Sequence, residues 1–347
     1  MEKHADTTRD RRESDGNTHP VCVLNVNRAI TERTPEASST FLPSSKMRRM
    51  VVKRLALVGT FALLTLAYPS TASAQRCDRQ CLSDFITRYL NAMIAHDPER
   101  LMRSSRVRFT EDAVEMKLGD GLWKTITGLR PYRQDFIDVR QGVAGTHTVV
   151  EEDGMPVLLA LRLKVFGLAL SEVETMVVRN RQEGILFQPD AFKAPNPGMA
   201  YVPKKSELNT RDEMTRIASL YPAGLRAGSF LNPDVPMSDD AYRFENGQKM
   251  AGPGCTFRPP SCENMKAQAV PKLAGLTYRV VAVDEEMGVV WLWQDFGPGS
   301  VPGGKGDTMI STFEAFKVYG GKIHAAEAIL ESAPVGRKSG WDTRAAN

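Results

Sequence analysis

Apolar residues return at three- and four-residue steps in two stretches of the chain. Leu82, Phe85, Ile86, Tyr89, Leu90 and Met93 form one stripe; Met214, Ile217, Ala218, Tyr221 and Leu225 form another. That period is the signature of an amphipathic helix with one face in a core. Thr210-Arg211-Asp212-Glu213 opens the second stripe as a capping box. Pro222 falls inside it and is expected to kink or shorten the helix. Tyr89 and Tyr221 hold matching places in the two stripes.

Between and after these helices the pattern changes to alternation, and it repeats. Val107-Arg108-Phe109-Thr110-Glu111-Asp112-Ala113-Val114 is matched to Val235-Pro236-Met237-Ser238-Asp239-Asp240-Ala241-Tyr242. The apolar run 156–165 resembles 309–318, and Lys164 precedes Glu174 by the same ten positions that separate Lys317 from Glu327. Two insertions lengthen the second copy, a cysteine loop and the Gly/Pro-rich stretch 297–306. Each copy therefore reads as a helix, a short helical or irregular segment, and about four strands joined by short turns, giving a mostly antiparallel sheet. The expected boundaries are 77–187 and 207–332 for the two copies. A Pro-rich linker at 188–206 joins them, and a flexible tail at 333–347 follows.

The amino-terminal region is different. Met47-Arg48-Arg49-Met50-Val51-Val52-Lys53-Arg54 is cationic, the next fourteen residues carry no charge, Pro69 breaks them, and Ala72-Ser73-Ala74 offers a small-x-small cleavage site. This order reads as a signal peptide over 47–74 and implies a secreted or periplasmic protein. Fourteen helical residues reach roughly 21 Å, short of the ~30 Å hydrocarbon core, so a stable membrane span is disfavoured. Residues 1–46 are polar and aperiodic. They read as a disordered extension or as sequence upstream of a true start at Met47.

Charge then narrows the partners. The whole chain has a formal net charge of +4, but 75–347 carries 34 basic and 34 acidic residues. A neutral body offers no broad field for a phosphate backbone, which argues against nucleic acid. A mean hydropathy of −0.30 excludes a polytopic membrane protein. Five cysteines occur in 347 residues, and Cys22 lies in the leading segment. The other four form two local pairs in sequence, Cys77 with Cys81 and Cys255 with Cys262. In an oxidising compartment disulfides are favoured over zinc, although four cysteines allow three pairings.

Chemistry requires ionisable groups set in apolar surroundings, where burial shifts their pKa. His147 as a base with Asp112 orienting it is one candidate pair; the alternative is Asp112 capping a turn and His147 solvated in a loop. Tyr89, Trp123 and Tyr242 are candidate pocket residues. In Val289-Val290-Trp291-Leu292-Trp293-Gln294-Asp295-Phe296 the alternation puts Trp291, Trp293 and Asp295 on one face. That face either lines an aromatic pocket or packs against the other copy's sheet. Glu174 and Glu327, equivalent in the two copies, read as structural, and Arg162 with Lys164 as a solvated strand face. The serine-hydrolase elbow, the zinc-protease helix motif, the Walker loop and the dinucleotide fingerprint are all missing, and no metal or cofactor is expected.

The first helix, the run Phe109 to Val114 and the terminal Gly320-Gly321-Lys322-Ile323 resemble the nuclear-transport-factor-2-like superfamily, also called SnoaL-like. More closely, Cys77-x-x-x-Cys81, His96-Asp97-Pro98, Leu118-Gly119-Asp120-Gly121-Leu122-Trp123 and Glu245-Asn246-Gly247 are similar to an uncharacterised exported family with two such units. The resemblance spans about 77–332. It implies an α+β fold of two cone units, each with N-terminal helices over a curved, mostly antiparallel sheet, packed sheet to sheet as an internal pseudo-dimer. It also implies a pocket for a small apolar or aromatic molecule. That pocket would serve either cofactor-free lyase, isomerase or cyclase chemistry, or a binding or protein-interaction role without turnover.

Overall fold

The computed structural model describes residues 76–257, 261–303, 306–338 and 340–341. The leader read at 47–74, the extension at 1–46 and Cys22 lie outside these residues. Asp78 caps helix α1 (Arg79–Ile94), its side chain accepting from the Cys81 amide. Every residue of the first apolar stripe is buried on that helix. Six strands follow: β1 (Arg103–Glu111), β2 (Val114–Met116), β3 (Gly128–Asp138), β4 (Val143–Glu152), β5 (Met155–Phe166) and β6 (Ala169–Val178). After a short α2 (Pro197–Ala200), helix α3 (Arg211–Ala227) begins at the Thr210/Glu213 capping box and ends at Gly228 in the left-handed conformation. Pro222 does not shorten α3, which runs through it to Ala227. The remaining strands are β7 (Met237–Glu245), β8 (Gln248–Ala251), β9 (Thr277–Asp284), β10 (Val289–Asp295), β11 (Thr308–Tyr319) and β12 (Lys322–Pro334).

The strands form two separate six-stranded sheets of one topology, β2-β1-β6-β5-β4-β3 and β8-β7-β12-β11-β10-β9. Both are mixed: β1 lies parallel to β6 and β7 parallel to β12, and the other pairs are antiparallel. This corrects the expected pair of helix-over-sheet cone units. The chain is mostly β, 42% strand against 18% helix, and among the described residues three α-helices are found, one of four residues. Each half has six strands rather than four. The long strands absorb residues that the expectation gave to further helices. Where a second helix was expected, glycine and proline punctuate the chain. The first half has short 3-10 turns at Pro98–Arg100 and Gly121–Lys124, and the second has the loop around Cys255.

Strand register fixes which residues correspond. Val143 pairs with Lys164 and Val289 with Lys317, and from that anchor Asp138 matches Asp284, Gly145 matches Trp291, and Glu174 matches Glu327. The match made earlier between Asp112 and Asp240 is six residues out of step. Asp112 corresponds to Asn246, both at positive φ in the first turn after a first strand. The oxygen of Asp112 accepts from Val177 N at 2.8 Å and that of Asn246 from Leu330 N at 3.0 Å, at corresponding positions of β6 and β12.

One side of each sheet packs on its own helix; the other sides pack on each other. Reciprocal clasps pin this seam. Arg79, first residue of α1, donates two hydrogen bonds to Asp284 at 2.7 and 2.9 Å, and Arg211, first residue of α3, grips Asp138. Asp284 also accepts from Ile137 N, and Asp138 from Val283 N, each at 2.9 Å. Both carboxylates are buried, so the charge-assisted bonds replace hydration. Gly145 leaves room for the Trp291 ring of the opposite sheet, which a Cβ would strike. The cysteines are joined as Cys77–Cys81 and Cys255–Cys262, with Cα separations of 5.2 and 5.7 Å. No helix among the described residues is long and apolar enough to cross a membrane.

Candidate functional site

The residues singled out from sequence fall inside the first half and along the seam, and a third place is built from residues outside that set. Tyr89 and Trp123 meet inside the first half. The indole N–H donates to the Tyr89 hydroxyl at 2.8 Å with the rings edge to face at 5.1 Å, both side chains fully enclosed. Beneath them Glu111 accepts the Leu122 amide, which is possible because Gly121 has no Cβ to meet that carboxylate. Burial raises the Glu111 carboxyl to about 7. Around this polar pair the interior is Leu82, Ile86, Phe109, Leu159, Leu161 and Leu163.

Tyr242, Trp293, Asp295 and His147 belong to the seam. Trp291 and Trp293 pack on Phe313, and Trp291 also lies against Phe136 and His147, so the tryptophan face is inter-sheet core. His147 is not a solvated loop residue. It accepts from Trp291 Nε1 at 3.1 Å in the middle of β4, and burial lowers its pKa to about 3, so it stays neutral. Asp112 has different neighbours, Val177 N and the positive field of Arg337 and Arg179, and burial lifts its carboxyl to about 6. No hydrogen bond among the described residues joins Asp112 and His147. Asp295 accepts from Ser311 at 2.5 Å. Arg162, expected to be solvated, is buried, donating to Glu172 at 2.7 Å.

The third place was not foreseen. On the helix-facing side of the second sheet stand Arg243 and Glu245 of β7, Gln294 of β10 and Glu314 of β11, beneath Tyr221 of α3. Arg243 donates to the Tyr221 hydroxyl and to Gln268 Oε1, both at 2.9 Å, and its Nε lies 3.0 Å from Glu245. Gln294 donates to Glu314 at 2.5 Å. Gln268, in the connection after β8, is held in turn by the Met250 carbonyl at 2.8 Å. Apolar walls surround the cluster: Met214, Phe230, Leu292, Phe316 and, from the same connection, Met265.

Electrostatics sets the protonation of this cluster. Burial first, and the neighbouring Glu245 charge second, push the Glu314 carboxyl up to about 8, against the opposing pull of Arg243 and the Gln294 amide. At neutral pH Glu314 is therefore an acid that keeps its proton. Burial also drives the Tyr221 hydroxyl well above its ordinary range. The arrangement places a proton donor, a fixed cation and a phenol within one apolar interior, the set that general-acid chemistry or an anionic ligand group requires.

Register shows that the first half lacks this chemistry. Phe109 stands where the second half has Arg243, Leu161 where it has Glu314, and Thr148 where it has Gln294. Tyr89 and Tyr221 each stand ten positions after their helix's first residue. The signal was present in sequence as one charged residue, Glu314, on the buried parity of a strand with Phe316 and Val318. Among the described residues no group of three or more histidine, cysteine or acidic side chains is placed to hold a metal.

Residues 207–330 match a family described as a domain of unknown function (DUF8021). The match begins just before α3 and reaches into β12, so it contains the whole polar cluster. No curated protein matches the chain. Among solved structures, a de novo designed protein with a curved β-sheet is similar at 14% identity and a TM-score of 0.25. The match covers 29% of this chain and 87% of that one, too slight a likeness to carry an argument.

Proposed function

We propose that this is an exported small-molecule-binding protein. Its ligand site is the helix-facing interior of the second half, and the chemistry there is cofactor-free proton transfer on an apolar or aromatic compound. The observation that carries this reading is the convergence of Arg243, Glu314 and Tyr221 in an apolar interior whose counterpart in the same chain is filled by Phe109, Leu161 and Tyr89. A buried ionic cluster often contributes no more stability than well-packed apolar residues of similar volume, and its presence in one half alone supports a functional use. Glu314 gives its proton to a ligand atom that gains electron density, and Arg243 stabilises the negative charge that develops. In an isomerisation the resulting carboxylate takes a proton back from a neighbouring carbon, and no co-reactant is consumed.

Export rests on the cationic and apolar segments at 47–74 together with the two cysteine pairs. One observation favours a binding role without turnover: Arg243 is already engaged by Tyr221, Gln268 and Glu245. The two readings separate on Glu314→Gln. Native mass spectrometry of protein exposed to a metabolite extract should show a retained small molecule on both wild type and variant, with conversion lost in the variant. Conversion by both identifies a different acid. Retention without conversion by either leaves the binding role, and absence of any retained molecule from the wild type refutes the proposal.

A further inference from the structure

Glu174 and Glu327 occupy equivalent positions on the seam side of β6 and β12, yet their surroundings differ in one respect. Glu174 has two cations, Arg279 of β9, which bonds it directly, and Arg162 of β5, whose Nη1 lies 4.0 Å away. At Glu327 both cations are missing. Register puts Gln134 where the other half has Arg279, and Ala315 where it has Arg162. Glu327 receives only neutral donors instead, the Tyr242 hydroxyl and Asn196 Nδ2, both at 2.9 Å and both on Oε1.

Beside Glu327 is a cavity of about 30 Å³, walled by Tyr132, His147, Phe192, Asn196 and Phe244. One water needs only ~10–15 Å³ by this kind of measure, so the space admits a guest somewhat larger than water and no organic molecule. Tyr132 is 2% exposed and its hydroxyl has no hydrogen-bond partner among the described residues. His147 is uncharged and supplies no cation. Burial raises the Glu327 carboxyl to about 7, so it is mostly an anion at pH 8.

We propose that this cavity binds one small, weakly hydrated monovalent cation, of ammonium or potassium size, in the place of the guanidinium that Arg279 brings to Glu174. A single carboxylate is too poor a donor set for calcium or magnesium, which take six or more oxygens. Aromatic walls of Tyr132, Phe192 and Phe244 suit a cation that sheds its water easily. The linker residues 191–196 roof the site, so occupancy ties the linker to the second sheet.

The test is thermal unfolding of the purified chain at pH 8 and constant ionic strength, with sodium chloride replaced stepwise by ammonium or potassium chloride. Tetramethylammonium chloride serves as the cation too large to enter. Ammonium or potassium should raise the midpoint saturably, by roughly 2–4 °C at ten times the dissociation constant, and tetramethylammonium should not. Glu327→Gln should abolish the response. Gln134→Arg, which restores the side chain of the other half, should raise the midpoint in sodium chloride and make it indifferent to ammonium. Equal responses to all the salts, or a response that survives in Glu327→Gln, would overturn the site.

Discussion

The two halves of this chain share a backbone plan and differ in what fills it. Both carry the same devices: an arginine opening the helix and an aspartate gripping the other half's arginine across the seam, and within each half a lysine near the end of the fifth strand and an Asx residue capping the sixth. The lysines show how context changes one device. Lys164 bonds a single carbonyl, that of Gln141, whereas Lys317 is fully buried and donates to the carbonyls of Met199, Tyr201 and Met287. The interiors diverge much further. In the first half one Tyr–Trp hydrogen bond and one carboxylate–amide pair sit in a hydrocarbon core. In the second, Arg243 and Glu314 replace the apolar Phe109 and Leu161, Gln294 replaces Thr148, and Glu245 keeps the place of Glu111. Parts kept in both halves hold the molecule together, and the part kept in one half is where we place its chemistry.

The largest effect should come from the shared seam. Asp284→Ala removes the partner of Arg79 and an acceptor for Ile137 N; Asp138→Ala does the same to Arg211 and Val283 N. Each should cost about 2–4 kcal/mol in urea denaturation, because a buried amide loses its acceptor and a partly exposed arginine its partner. Similar losses are the mark of a symmetric seam, and a loss below about 1 kcal/mol at either site would break the comparison.

pH separates the interiors next. A carboxyl raised in the folded state holds a proton that the unfolded chain has already released. Its contribution is thus full below about pH 4.5 and is lost as pH rises through the folded value. For Glu314 the window is about 4.5 to 8, wider than the window to about 7 for Glu111. Stability measured from pH 5 to 8 should fall for the wild type and fall less steeply for Glu314→Gln. Identical slopes would mean that Glu314 is ionised throughout.

The disulfides rank below that. Opening the eight-residue loop closed by Cys255 and Cys262 should cost about 2.5 kcal/mol, and the five-residue loop of Cys77 and Cys81 about 2 kcal/mol, on the chain-entropy relation. Serine variants read by thermal unfolding check both. The smallest change is Trp123→Phe, which keeps the ring in the first interior and deletes the donor to Tyr89. A loss of about 1 kcal/mol is expected, with the ligand behaviour of the second half untouched.

Much of the helix content was legible from periodicity. The six apolar positions of α1 and the five of α3 are all buried, and the capping box is formed. The wrong step was the strand match. Aligning Asp112 with Asp240 hid its correspondence to Asn246, and with it the substitution of Phe109 by Arg243. Pairing partners lie far apart in sequence, and a register slip leaves no local trace. The supposed second helices failed for a different reason, since glycine and proline at 119, 121, 252, 253 and 254 left no span long enough to nucleate one. The solvated-loop reading of His147 failed because a histidine on a fully buried strand satisfies its ring through an indole that only the other half supplies.

One measurement bears most directly on the account. A triple variant, Arg243→Phe, Gln294→Thr and Glu314→Leu, gives the second interior the residues of the first, and is compared with the wild type for both unfolding midpoint and small-molecule retention. The account predicts a midpoint equal to or above the wild type, since apolar replacement of a buried ionic cluster is often neutral or stabilising, together with loss of the retained molecule. A folded triple variant that still captures the same compound would contradict it.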